Sequence, residues 1–226
     1  SRLSVYARLV LLITAGLIFG GGALFALLEW NNPGTIGSFS TGGKLLAALF
    51  QSVTLRTAGF ASFNQDALTE ASKVLSDLLM FVGGSSGSTA GGVKTVTMGL
   101  VILSAVSTMR GRRQVTVFGR SISQEDIANA VSIALLVMGL SLLGAAVITV
   151  CDGCSFMNAI YETISALCTV GLTTGITPTL CTASKLILIV FMFFGRVGIM
   201  TIGVGFMMGD RAKERVQYAQ TKVMIG

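Results

Sequence analysis

Thr57-Ala58-Gly59 and Thr169-Val170-Gly171 are the residues whose types and spacing best suggest a chemistry for this chain. Neither tripeptide carries an acid or a base. What each offers is backbone. A glycine lets an extended loop turn its carbonyls toward one axis, and a ring of backbone carbonyls can replace the hydration shell of a potassium ion. One such tripeptide is a weak signal. The same Thr-x-Gly pattern twice, each time after a short apolar segment and between two longer ones, is a much stronger one. The plainer reading, two outer turns rich in small residues, gives no reason for the repeat.

A second stretch bears on the same chemistry. Gly83-Gly84-Ser85-Ser86-Gly87-Ser88-Thr89-Ala90-Gly91-Gly92-Val93-Lys94 interrupts an apolar run, with Val74 to Val82 before it and Val96 to Val106 after it. Glycine costs about 1 kcal/mol per helix position relative to alanine, so the cluster breaks the helix. Broken backbone at bilayer depth is tolerated only where it is buried in protein or lines a water-filled cavity. Arg196 stands near the middle of the last apolar segment. A charge there costs about 2.5–3.5 kcal/mol on insertion scales and must face a cavity or a partner. Asp77 is expected near the outer end of the broken helix, as a cation-attracting or helix-packing residue, and Lys94 either to sit at the membrane interface or to hold the lower half-helix to the loop. Arg56 would repel cations if it faced them, so it is expected to brace the first loop from behind, with Glu162 as a candidate partner.

Composition sets the class. Of 226 residues, 52% are apolar and 12% charged, and mean hydropathy is +0.80. Soluble domains carry about 25% charged residues, so the chain reads as a polytopic membrane protein. Histidine is absent, which removes the commonest zinc ligand and general base. Cys151, Cys154, Cys168 and Cys181 lack the second pair that a metal site needs; a disulfide at the outer surface stays open. Arg110, Arg112, Arg113 and Arg120 separate two apolar segments, and Arg211, Lys213, Arg215 and Lys222 follow the last. The positive-inside rule puts both clusters, with Arg2 and Arg8, in the cytoplasm. The chain begins at Ser1 without Met, and is expected to be part of a longer protein.

These features impose an order of elements. Leu9 to Leu28 spans once, Leu45 to Val53 is too short to span, and the broken helix follows. After a basic linker, Ser123-Gln124-Glu125-Asp126 starts a helix, Ile127 to Val150 spans, Phe156 to Leu167 is again short, and Leu186 to Met208 is the last span. The chain is thus all-α, with two copies of one span–short helix–span unit: residues 1–110, a cytoplasmic linker over 111–126, and residues 127–226 with a basic tail.

The segments Ser52-Val53-Thr54-Leu55-Arg56-Thr57-Ala58-Gly59-Phe60, Gly83 through Lys94, and Phe194-Gly195-Arg196-Val197-Gly198 resemble the Trk/Ktr/HKT superfamily of potassium transporters. The resemblance runs over essentially the whole chain, and the glycine-serine segment is its most specific part. It implies four span–pore helix–span units around one pseudo-fourfold pore, of which this chain corresponds to the third and fourth. The first two would lie upstream; association of two copies is the other way to complete four parts. By resemblance Thr57, Ala58, Gly59, Thr169, Val170 and Gly171 line the selectivity filter. Gly83, Gly84, Ser85, Ser86, Gly87, Ser88, Thr89, Ala90, Gly91 and Gly92 form an intramembrane gating loop beside Lys94 and Arg196, with Lys94, by its place in the family motif, the residue that holds the lower half-helix to it. Ser86 stands where the family often has Pro or Ala. Transported potassium, sodium as a candidate activator, a homodimer, a cytosolic nucleotide-binding regulatory subunit and a prokaryotic plasma membrane are further implications. No covalent cofactor and no enzymatic step are expected. A sodium-translocating or weakly selective transporter would share every motif, and a non-transporting membrane scaffold is the third reading.

Overall fold

Two helices set the scale of the molecule. α1 (Val5–Glu29) and α5 (Gln124–Asp152) have 25 and 29 residues, about 37 and 43 Å at 1.5 Å per residue. Both exceed the roughly 30 Å hydrocarbon core, and among the described residues these two are long and apolar enough to cross a membrane. The computed structural model describes residues 4–85, 88, 90–111, 114–118 and 120–197. Its remaining helices are α2 (Thr41–Thr54), α3 (Glu70–Phe81), α4 (Thr95–Met109), α6 (Phe156–Leu167) and α7 (Thr182–Val197). The expected last span, 186–208, is described only as far as Val197, and the basic tail lies outside the described residues.

Hydroxyl caps start most of these helices. Ser4, Ser40, Thr69 and Ser123 accept from the backbone N–H of Ala7, Gly43, Ser72 and Asp126, each satisfying one orphan donor of a first turn. The Ser123 start was legible in the sequence. That of α2 was not, because Gly42 and Gly43 read as loop. The linker holds a further element: β1 (Thr116–Val117) pairs antiparallel with β2 (Arg120–Ser121), Thr116 opposite Ser121 and Val117 opposite Arg120. Val115 and Val117 are buried there.

Beyond the short helices, elements of the second half follow those of the first at a fixed displacement, whereas the long helices end 123 residues apart, at Glu29 and Asp152. Short 3-10 turns begin at Gln65 and Thr177, and helices begin at Glu70 and Thr182, 112 residues apart in each case. α1 packs on α2 as α5 packs on α6, and α3 packs across on α6. In the first half, Glu29 at the end of α1 accepts from Thr69 N–H (3.0 Å), Thr69 Oγ1 (2.8 Å), Thr35 Oγ1 (2.7 Å) and Asn32 Nδ2 (2.6 Å). In the second, Asp152 at the end of α5 accepts from Cys181 N–H (2.5 Å) and Ser184 Oγ. Each carboxylate ties the end of a long helix to the start of the helix that follows its loop.

One apolar core joins the halves, including Phe25, Leu55, Met80, Val137, Ile148, Tyr161 and Leu167. Gly21 and Gly22 let α1 pack closely on α2: a Cβ on Gly21 would lie 2.5 Å from Ser52 Oγ, and one on Gly22 would lie 3.3 Å from Leu49 Cα. Gly16 and Gly20 face open space. Leu27, Leu135, Leu143, Val150 and Phe193 are exposed, large side chains of a kind that a water-soluble surface rarely groups together.

Candidate functional site

Both Thr-x-Gly loops are shaped by a hydroxyl from the last turn of the short helix before them. Thr54 Oγ1 accepts from Phe60 N–H and donates to the Phe60 carbonyl, both at 2.7 Å. In the other loop Ser165 Oγ accepts from Gly171 N–H (3.2 Å) and donates to the Leu172 carbonyl (2.6 Å). The chain is thereby folded back within six or seven residues. The backbone follows the same course each time. Thr57 and Gly59 have φ of 69° and 76°, and Thr169 and Gly171 have φ of 57° and 92°. A β-branched residue in the left-handed region is a genuine outlier that only surrounding structure can hold. Both loops thus place positive φ at alternate residues.

The two loops meet. The Val170 carbonyl oxygen lies so near Gly59 that an added Cβ would sit 2.1 Å from it. Thr57, Gly59 and Thr169 are half-buried, Ala58 and Gly171 are exposed, and Val170 is buried.

The helix break lies against these loops, and its ends satisfy one another. Val93 N–H donates to the Phe81 carbonyl (3.2 Å), Gly83 N–H to that of Val93 (2.9 Å), and Thr95 N–H to that of Gly84 (3.1 Å). Backbone that leaves a helix inside a membrane must be paired in this way. Gly83 is required sterically, since its Cβ would lie 2.1 Å from the Gly91 carbonyl oxygen; Gly92 has φ of 69°. Lys94 Nζ donates to the Ala90 carbonyl, and Ser88 Oγ to that of Ser85 at 2.6 Å. Lys94, at the N-cap of α4, thus reaches back to the segment that precedes it. Ser86, Gly87 and Thr89 lie outside the described residues.

Among the described residues, three hydrogen bonds join break and loops. Gly91 N–H donates to Thr169 Oγ1 (3.0 Å). Arg56 Nη2 donates to the Gly83 carbonyl (3.2 Å) and to Thr95 Oγ1 (3.0 Å). Gly195 of α7 abuts the end of α6, where its Cβ would lie 2.1 Å from the Leu167 carbonyl oxygen. The next residue, Arg196, lines a cavity of about 560 Å³ together with Thr169, Gly171 and Glu162.

The expected pairing of Arg56 with Glu162 does not occur. Glu162 instead accepts from Thr173 Oγ1 (2.6 Å), Thr174 N–H (2.9 Å) and Oγ1 (3.2 Å), and Thr177 Oγ1 (2.8 Å). It stabilises the chain beyond its own loop, while Arg56 reaches the helix break. Asp77 is buried, and among the described residues its Oδ1 has no hydrogen-bond partner. The four cysteines are free thiols. Sequence reasoning missed Thr54, Ser165 and Thr95, and a buried network in which Gln51 Nε2 (2.6 Å) and Tyr161 Oη (3.1 Å) both donate to Gln65 Oε1. The visible signal was a hydroxyl residue in the last turn of each short helix.

A family model described as TrkH, cation transport protein, matches residues 6–214. The chain is similar to Ktr system potassium uptake protein B of Bacillus subtilis (strain 168), 37% identical over 96% of this chain and 48% of that protein. It is 34% identical to the potassium/sodium uptake protein NtpJ of Enterococcus hirae over 100% of this chain and 51% of that one. The chain thus spans about half the length of these curated relatives. Its fold matches the crystal structure of the potassium transporter TrkH from Vibrio parahaemolyticus with a TM-score of 0.70 at 22% identity, covering 89% of this chain and 44% of that one.

Proposed function

The chain belongs to the TrkH cation transport protein family, and from that premise we propose that it supplies half of a potassium pore in the cell membrane. The carbonyls of Thr57, Ala58, Gly59, Thr169, Val170 and Gly171 form two quarters of the filter at which the ion sheds water. The break from Gly83 to Gly92 lies across the ion's path beneath them, with Lys94 bracing it and the positive charge of Arg196 opposing cation passage when the path is closed. No bond is made or broken; the ion moves down its electrochemical gradient. The observation that carries this reading is the repeated alternation of φ at 57/59 and 169/171 in two loops that touch each other.

The other two quarters come from two upstream units, and two such proteins pair as a homodimer. The basic linker, 110–120, and the basic tail, 211–222, receive a cytosolic nucleotide-binding regulator. Sodium acts as an activator where transport depends on it.

Cation flux into liposomes containing the full-length protein, potassium against sodium under one fixed gradient, tests the reading. A clear potassium preference is expected. Equal passage or a sodium preference would overturn potassium selectivity and favour a sodium-translocating or weakly selective pore of the same fold. The relative NtpJ, a potassium/sodium uptake protein, supports that second reading.

A further inference from the structure

Arg56 stands immediately before the positive-φ Thr57 of the first loop, yet its guanidinium is bonded elsewhere. One nitrogen, Nη2, donates to the Gly83 carbonyl and to Thr95 Oγ1. Thr95 Oγ1 in turn donates to the same Gly83 carbonyl at 3.1 Å. The three groups close a triangle. Gly83 follows the end of α3, where unpaired carbonyls and the negative end of the helix dipole favour a cation, and Thr95 is the first residue of α4. Thr95 is fully buried, and Arg56 Nε is buried without a hydrogen-bond partner. Among the described residues, the hydrogen bonds of this side chain are made through Nη2.

We propose that Arg56 is a positioning residue for selectivity: it fixes Thr57 by anchoring its own side chain to both ends of the helix break, so that Thr95, at the start of α4, sets the geometry of the filter. This rests on the pore reading above. The left-handed Thr57 is costly to hold, and loss of the anchor lets it relax. A hydrogen bond to a charged group is strong enough for its loss to move a selectivity ratio by about tenfold.

The test uses the full-length protein in liposomes and reads the potassium-to-sodium permeability ratio. Arg56→Gln and Thr95→Val are each expected to lower it by about tenfold. The double variant should fall no further, because both changes break one device. Thr95→Ser keeps the hydroxyl and should keep the ratio. If Thr95→Val yields no folded protein, Thr95→Ala is substituted. A merely structural role would lower folded yield and flux together and leave the ratio unchanged. Normal selectivity in a folded Thr95→Val or Thr95→Ala protein would overturn the proposal alone, as would a double variant whose effect is the product of the two singles. A wild-type protein that passes no cation overturns the pore reading and this assignment with it.

Discussion

At Gly59 two independent constraints fall on one residue. Its φ of 76° is left-handed, and an added Cβ would lie 2.1 Å from the Val170 carbonyl oxygen. The first constraint alone costs an L-residue about 1–2 kcal/mol; the second forces the opposite loop to move. Gly59→Ala is therefore expected to lower the thermal midpoint of the purified full-length protein and to cut potassium preference by at least about tenfold in liposome flux. A folded Gly59→Ala protein with unchanged preference would show that this loop does not select. Thr57, Gly59, Thr169 and Gly171 stand out in the sequence because the Thr-x-Gly pattern occurs twice in the same context. The hydroxyls that shape the loops do not. Thr54 acts in the first loop, but at the fixed displacement its counterpart is Ala166, and Ser165, one position earlier, does the work. A contact that shifts by one residue between copies leaves no common motif.

Among the elements, α6 was readable to its ends, Phe156 and Leu167, since polar residues bound it on both sides. The pairing of β1 with β2 was hidden, because the arginines around it read as linker and two-residue strands carry too few side chains for a periodic signal. The break between α3 and α4 was plain from its glycines, but its internal pairing depends on residues ten and more positions apart, which no local pattern encodes. α7 brings Arg196 to the cavity that Thr169 and Gly171 also line. Arg196→Ala is expected to raise passive cation flux several-fold, by removing a positive charge from the ion's route. Unchanged flux in the folded variant would remove Arg196 from the gate.

Across the whole molecule, the two units are bound by specific polar contacts as well as by the shared core. Tyr161 on α6 donates to Gln65 beside the first loop, and Lys73 on α3 donates to Asn158 on α6 at 3.1 Å. Tyr161→Phe keeps the ring and removes one buried hydrogen bond, so it is expected to cost about 1 kcal/mol, read as a lower thermal midpoint with flux retained. An unchanged midpoint would mean that the network adds no net stability. The repeat of the architecture could be read from the sequence because hydrophobic lengths and loop residues recur. The joints between units could not, because each joins residues far apart in sequence.

The paired ends of the interrupted helix have a consequence of their own. Phe81, Gly83, Gly84, Val93 and Thr95 bond among themselves, so the register of α3 against α4 is fixed by those five residues. Gly91 and Gly92 are held by their contacts with Thr169 and Cys168, but this backbone pairing does not draw on residues 85–89, so their number and type can change without rebuilding either helix. If the segment gates a pore, variation in gating has a place to accumulate while the two helices stay fixed.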